Sequence, residues 1–362
     1  MNRLSEAERA AAALGRPERM RRWLLEIAPA VVVGLLLLRL AGGDPWPVAT
    51  AERATPVEWL LRAPLSLLPT WLAQPVWALL TALAQRLVLA RAGVRRGLPL
   101  GLLSAGLLVV AEPFRVVLGA GQLGTLLLAL VVGDLLPRAV GERRWLPRGV
   151  ATGLAVSIHP INLLFLGYAA LTARWRVALV GGIATVAFSA LGVALRPGVA
   201  AWAGELAWGE LAWSGQLIGL LVALLGLGAA VGLHRIGEGV LAVGMVGVAT
   251  CLAGSVSSPD RHGWALLVGI GALQAARRRR ETPSPTRKSG RGLPAWLAGL
   301  GLAYAGWTAV GGSLQRFAVA APAPVPTVLH AVLPMLGALL LLAMIGFLVL
   351  DRGPRVLLPG RS

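Results

Sequence analysis

Cysteine is almost absent from this sequence, whose 362 residues contain a single one, Cys251. A disulfide framework and a cysteine-based metal site are therefore excluded. Lysine also occurs only once, as Lys288, so the net charge of +18 comes almost entirely from arginine.

The signatures of common soluble enzymes are missing as well. The sequence contains no G-x-x-x-x-G-K-[ST] loop, no H-E-x-x-H pair and no strand-flanked G-x-S-x-G turn. Because it also has no nucleotide-binding domain, a nucleotide-driven pump is not expected.

Long apolar runs are abundant. The chain is 56% hydrophobic with a mean hydropathy of +0.73, and its runs approach the roughly 20 residues that cross a bilayer core. We predict an all-α, multi-pass membrane protein in which a proline breaks one region at His159-Pro160. The twelve predicted membrane segments are 23–41, 70–90, 98–111, 122–136, 150–159, 160–173, 177–194, 216–234, 238–256, 263–276, 293–312 and 328–350.

The distribution of basic residues sets the predicted orientation. With both termini in the cytoplasm, 26 of the 34 Lys and Arg residues fall on the cytoplasmic side and six on the outside. This asymmetry follows the positive-inside rule. The basic charge therefore orients helices, and no nucleic-acid partner is expected.

The segments group into five parts. Residues 1–22 form a cytoplasmic tail, and the apolar run after it lacks a cleavage site, which predicts an uncleaved anchor. The transmembrane core covers 23–276, followed by a basic, Pro- and Ser-containing cytoplasmic linker at 277–292. A helical pair at 293–350 and a cytoplasmic tail at 351–362 complete the chain, and the linker is expected to contact anionic lipid.

This topology collects ionisable groups on the outer face, where a cluster at membrane depth is a candidate site. The carboxylates are Asp44, Glu52, Glu58, Glu112, Glu205, Glu210 and Asp260, and the basic or imidazole groups are Arg62, Arg115, His159, Arg261 and His262.

Other polar and aromatic residues are expected to have structural roles. Glu26 is predicted to be a packed or snorkelling group, Asp134 a helix-end residue on the cytoplasmic side, and His234 and His330 helix-end or interfacial groups. Interfacial anchoring is predicted for tryptophans near span ends, namely Trp23, Trp46, Trp59, Trp145, Trp175 and Trp264.

Four ordered stretches resemble glycosyltransferase family 87. EPFRVVLGAGQLGTLLLALVVGDLLPRA, from Glu112, is similar to the family's E-P-x-R-x-x-L-x-x-G-Q-x-N-x-L-L motif. RGVATGLAVSIHPINLLFLGYAALTARWR, from Arg148, resembles R-G-x-x-x-G-L-A-x-x-I-K-x-x-P, and TPVEWLLRAPLSLLPTWLAQPVWALLTAL, from Thr55, resembles a P-L-A-L-L-P…W segment. The stretch from Ser255, SVSSPDRHGW, lies where the family has S-P-V-S-W-x-H-H-W.

The resemblance implies a membrane glycosyltransferase of the GT-C class. Such an enzyme would move a sugar, with mannose expected, from a polyprenyl-phosphate donor to a lipid or glycan acceptor on the outer face of a bacterial cell membrane. An outer carboxylate can accept the proton of the acceptor hydroxyl, and cationic groups can stabilise the phosphate leaving group. No cofactor and no metal are expected, since side chains can perform the leaving-group role.

The resemblance also assigns candidate roles to residues. Asp44, the carboxylate directly after the first span, is the expected general base, and His262 matches the first histidine of the H-H-W element. The expected donor phosphate- and sugar-binding residues are Arg115, Gln122, His159, Arg261 and Gln216.

Departures from the family pattern keep other functions open. The loop between Asp44 and Pro56 is short, Gly124 replaces an asparagine, His159 a lysine and Gly263 the second histidine. These changes leave a non-catalytic family member as one alternative, with Arg261 as a candidate source of compensating charge. A lipid or sugar transporter is another, because broken helices often mark substrate sites in transporters.

The predicted topology can be tested by cysteine accessibility in a Cys251→Ala background. A Thr50→Cys variant should react with a membrane-impermeant maleimide in intact cells, because Thr50 lies in a predicted outer loop. Ser284→Cys, in the predicted cytoplasmic linker, should react only after permeabilisation. The reverse labelling pattern would show that the orientation is inverted.

Overall fold

The described part of the computed structural model is entirely helical, with fourteen α-helices and two 3-10 helices. It covers residues 15–40, 55–137, 146–195, 213–253, 259–281, 293–318 and 325–351. The α-helices are α1 Arg16–Leu40, α2 Pro56–Ser66, α3 Thr70–Arg91, α4 Leu98–Val110, α5 Glu112–Ala120, α6 Gly124–Leu135, α7 Val150–Ile158, α8 Leu163–Leu171, α9 Trp175–Leu195, α10 Trp213–Arg235, α11 Gly239–Ala253, α12 Ala265–Glu281, α13 Ala295–Ala318 and α14 Val325–Asp351. The 3-10 helices are Pro160–Asn162 and Pro259–Trp264.

Each of the twelve apolar segments predicted from the sequence contains a helix, and the break at His159-Pro160 is present. Several boundaries differ. Helix α1 begins at Arg16, inside the predicted N-terminal tail, and α13 continues to Ala318, beyond the predicted end at 312. Helix α12 continues to Glu281, beyond the predicted segment end at 276 and into the predicted linker.

Helices long and apolar enough to cross a membrane are fewer than twelve. The described residues contain five, at Pro17–Leu40, Thr70–Arg91, Trp175–Leu195, Ile218–Arg235 and Val332–Leu350, and a sixth if the bent pair of α4 and α5 forms one span. The shorter apolar helices include α6 and α11. A membrane protein is thus supported, whereas twelve crossings and cytoplasmic termini stay predictions.

Three helical elements were not predicted from the sequence: α2, α5 and the 3-10 helix at 259–264. Helix α5 turns away from α4 by 79° at Ala111. Proline in its first turn favours a new helix start there, and Gly121, in the left-handed region at φ 65°, ends it. The first part of the motif that begins at Glu112 therefore lies on a separate short helix, and its remainder lies on α6.

Helix α7 is held at both ends by side chains from neighbouring segments. At its start, one carboxylate oxygen of the buried Asp134 accepts hydrogen bonds from the backbone of Gly149 at 3.0 Å and from Thr152 N and Oγ1 at 2.9 and 3.2 Å. At its end, Asn162 Nδ2 donates to the carbonyl oxygen of Ala155 at 3.1 Å. The Asp134 bonds satisfy backbone N–H groups that the start of the helix would otherwise leave without partners. The Asn162 bond is a second one to the Ala155 carbonyl, which also accepts the His159 N–H at 3.0 Å.

Glycine is required where α7 begins. Gly149 has φ 105°, and a Cβ there would lie 2.4 Å from the carbonyl oxygen of Val177. Its backbone N–H can reach Asp134 only because the chain adopts this conformation next to α9. Asp134 lies one residue before the end of α6, as predicted for a helix-end residue, and its partners show that it caps the next helix.

Glu26 is fully buried and forms an ion pair with Arg86, whose Nε lies 2.6 Å from Glu26 Oε2. The other carboxylate oxygen accepts the backbone N–H of Gly97 at 3.0 Å, and the Arg86 guanidinium lies 5.6 Å from the Trp23 ring centroid. The contact joins α1, α3 and the start of α4. Glu26 is therefore a packed polar group.

A second ion pair closes the turn between α10 and α11. Arg278 Nη2 lies 2.5 Å from the Glu238 carboxylate. The pair connects α12 to this turn.

Removing the Asp134 carboxylate should destabilise the protein strongly. Asp134→Ala leaves three buried donors without their charged acceptor, so we expect a loss of at least about 3 kcal/mol and a lower midpoint of thermal unfolding in detergent. Glu18→Ala is the control, because exposed Glu18 accepts one hydrogen bond among the described residues, from Gly15 N at 3.3 Å, and surface changes have small effects. Equal midpoints for the two variants would contradict a capping role for Asp134.

Candidate functional site

A cavity lies where the α7–α8 break meets α6, α11 and the 3-10 helix at 259–264. The empty space it encloses is about 440 Å³, a volume that includes space open to solvent. The polar lining residues are His159, Asn162 and Thr250, and the aromatic one is Trp264. Two glycines, Gly124 and Gly263, and the apolar side chains Leu127, Leu128 and Ile161 complete its wall.

The 3-10 helix Pro259–Trp264 is the central element of this region, because it contacts α5, α6, α11 and α12. Trp264 is 6% exposed and packs on Phe165 of α8 with ring centroids 4.6 Å apart. Gly247 makes room for it, since a Cβ at that position would lie 2.2 Å from the indole. The prediction that Trp264 is an interfacial anchor is wrong, because its ring is enclosed by helices instead of facing a membrane surface.

His262 is buried at 3% exposure and points to α13. Its Nδ1 lies 3.3 Å from the Tyr304 hydroxyl, and Tyr304 is itself buried. The imidazole is not part of the cavity wall, whereas its two following neighbours, Gly263 and Trp264, are. The tyrosine thus fixes the ring beside the cavity.

The break between α7 and α8 places His159 and Asn162 on the cavity. His159 has extended backbone geometry, φ −131° and ψ 104°, and Pro160 prevents α7 from continuing. The chain then makes one 3-10 turn in which the Asn162 N–H donates to the His159 carbonyl at 3.0 Å. Both side chains are therefore held by a short, hydrogen-bonded turn.

Arg115 lies on α5, the helix that packs against the 3-10 element carrying His262. Gln122 follows α5, two positions before cavity-lining Gly124, and its Oε1 is buried without a hydrogen-bond partner among the described residues. The motif beginning at Glu112 and the stretch ending at Trp264 are thus neighbours in the fold although far apart in sequence.

Comparison with known families gives one match: residues 55–290 fit the model of glycosyltransferase family 87. This range covers more than half of the chain. The chain belongs to glycosyltransferase family 87. No curated protein and no solved structure matches.

Membership of family 87 and the apolar helices together identify a membrane glycosyltransferase-family protein, and the family implies a sugar donor and an acceptor. The matched range begins after the predicted base and ends before α13. No cluster of three potential metal ligands occurs among the described residues.

For three predicted site residues of this family 87 chain, the side chain lies outside the part that the structure describes. Asp44 lies outside the described residues. Gln216 belongs to α10 and Arg261 to the 3-10 helix at 259–264, but both side chains lie outside the described part. Their assignments stay predictions.

The sequence prediction missed three residues around the cavity: Asn162, Thr250 and Tyr304. The only local signal for Asn162 is its position just after a helix-breaking proline. Thr250 lies within the apolar run of α11, and Tyr304 within that of α13, so neither could be connected to His159 or His262 without the fold.

Two tyrosine–histidine pairs provide a matched comparison of stability. The second pair, Tyr168 with His234, joins α8 to α10 with 3.2 Å between the hydroxyl and Nδ1. Tyr304→Phe and Tyr168→Phe should each lower the free energy of unfolding by about 1 kcal/mol, because each removes one hydrogen bond without leaving a cavity. Thermal unfolding in detergent checks this, and an unchanged midpoint for Tyr304→Phe would show that its hydroxyl does not hold His262.

Proposed function

We propose that this protein is an inverting glycosyltransferase that moves a sugar from a polyprenyl phosphate to a lipid or glycan acceptor. The sugar we propose is mannose. The reaction takes place on the outer face of a bacterial cell membrane that the chain crosses several times. The strongest support is the convergence of three family-87-like segments, which begin at Glu112, Arg148 and Ser255, around one cavity.

In the proposed reaction, the acceptor hydroxyl oxygen attacks the anomeric carbon of the sugar. A new bond forms between these atoms while the bond from the anomeric carbon to the phosphate oxygen breaks, and its electron pair leaves with the phosphate. The proton of the acceptor hydroxyl passes to Asp44 as general base.

Positive charge near the leaving group lowers the barrier of such a transfer. Arg115 lies on the helix packed against the 3-10 element, and we assign it to the phosphate together with Arg261, whereas His159, on the cavity wall, is assigned to the donor next to its sugar. Gln122 and Gln216 are assigned to donor binding. His262, supported by Tyr304, is proposed to act beside the reacting sugar.

A non-catalytic role in binding lipid-linked sugar is the competing function. Its support is that Gly124 and Gly263 give the cavity wall no functional side chains at these positions. The two functions differ in whether the protein catalyses sugar transfer or only binds the lipid-linked sugar.

Turnover is tested in membranes containing the protein, supplied with labelled polyprenyl-phosphate mannose and a lipid extract. A labelled product should form, and it should disappear in Asp44→Asn because the acceptor proton then has no base. Glu52→Gln is the control, since Glu52 is another acid of the same predicted loop. Absence of transfer from every lipid-linked sugar offered would reject the enzyme function.

The paired tyrosines separate a role of His262 in transfer from a purely structural one. Tyr304→Phe should reduce transfer by about fivefold, the factor of one hydrogen bond, whereas Tyr168→Phe should leave it unchanged although both variants lose similar stability. Initial rates at saturating donor measure this. Equal transfer rates in the two variants would show that His262 takes no part in the reaction.

A further inference from the structure

The hydrogen-bonding groups of the cavity wall show what kind of ligand it accepts. Thr250 donates its hydroxyl hydrogen to the carbonyl oxygen of Gly247 at 2.7 Å. Asn162 donates from Nδ2 to the carbonyl oxygen of Ala155. A threonine hydroxyl has one donor, and an asparagine has one carbonyl oxygen. Both residues therefore have acceptor oxygens available to a ligand, and Asn162 also keeps one amide hydrogen.

Acceptor oxygens favour hydroxyl groups over phosphate. A sugar hydroxyl can donate to such oxygens, whereas a phosphate oxygen needs donors and would be repelled by them. None of the described residues that line this cavity is Arg, Lys, Asp or Glu, and His159 is the one titratable residue among them. The chemistry fits a neutral, hydroxylated ring and disfavours a carboxylate substituent.

The remaining wall is shaped for the apolar faces of such a ring. The indole of Trp264 is fixed by its contact with Phe165, and a fixed aromatic surface provides a large contact at low entropic cost. Gly263 leaves space next to it, because a Cβ there would be 3.7 Å from Leu128 and 3.9 Å from Phe114, ordinary contact distances.

We infer that this cavity binds the neutral sugar ring of the donor, while the phosphate is bound outside it on the α5 side. The inference rests on the proposed function for the identity of the donor. It adds two specificity residues, Asn162 and Thr250, and a shape-determining one, Gly263.

The test compares two probes in detergent solution: a short-chain isoprenyl phosphate, and the same compound carrying mannose. The ratio of their dissociation constants isolates the contribution of the sugar. In the wild-type protein the mannosylated probe should bind about tenfold or more tightly, because a site that hydrogen-bonds hydroxyls is penalised when they are missing. Isothermal titration calorimetry measures both constants.

Two variants address the cavity independently. Thr250→Val should reduce the ratio by about fivefold, the factor of one neutral hydrogen bond. Gly263→Leu should bring it close to one by filling the space, while affinity for the sugar-free phosphate stays unchanged.

Two control variants should retain the wild-type ratio. Thr308→Val removes a buried hydroxyl that makes the same kind of bond, to the carbonyl oxygen of Tyr304 at 2.8 Å, outside the cavity wall. Gly106→Leu adds a side chain where a Cβ meets nothing within 4 Å.

The results distinguish this inference from the proposed function. A wild-type ratio of one, a ratio unaffected by both Thr250→Val and Gly263→Leu, or an equal loss for both probes in Gly263→Leu would each overturn the sugar assignment. Transfer measured on the same preparations is the separate readout. If the ratios are as expected but no transfer occurs, the enzyme function is rejected and the sugar-binding assignment of the cavity stands. If transfer occurs but the ratio is one, the sugar-binding assignment is rejected and the enzyme function stands.

Discussion

A helix that ends in an apolar environment must find partners for its last backbone groups, and the candidate site depends on how this is achieved at α7. Unpaired backbone groups cost several kcal/mol in hydrocarbon. Asp134 satisfies the start of the helix, and Asn162 donates to a carbonyl near its end. Capped at its start and tied to the following turn by Asn162, the short helix ends at His159, where Pro160 begins a 3-10 turn. The cavity exists because of that break.

The second requirement is an element that closes the cavity from the other side. The 3-10 helix at 259–264 does so by inserting Trp264 between Gly247 and Phe165. The glycine is essential because no other residue leaves room for the indole. The site is thus built from interruptions of helices, which allow side chains from distant parts of the sequence to meet.

Much of the fold followed from local signals. Apolar runs bounded by charge and proline located every helix of the predicted segments, and the missing N–H of Pro160 indicated the break correctly. The bend at Ala111 was missed because α5 is only nine residues long and contains an arginine, so it resembled a loop. For Trp264, a position near a span end fits both interfacial and buried packing, and only the contact with α8 distinguishes them.

The site could be predicted only in part for the same reason. His159 lines the cavity, and Arg115 lies on the helix packed against the 3-10 element, while their assignment to donor binding stays a prediction. Thr250 looked like one polar residue in an apolar helix, since the face it occupies depends on α6 and α8. Asn162 had a visible helix-breaking neighbour, yet its contact with Ala155 is a tertiary consequence of the turn.

The shortness of α7 also affects how a ligand is solvated in the cavity. Nine residues rise about 14 Å, roughly half of a hydrocarbon core about 30 Å thick, so α7 alone cannot cross a bilayer, and its end lies among packed helices. Little water fits in the partly open cavity there to replace a lost hydrogen bond. A polar ligand that reaches His159 must exchange its hydration shell for the few oxygens of the wall, which makes the number and direction of those oxygens the main determinants of what can enter.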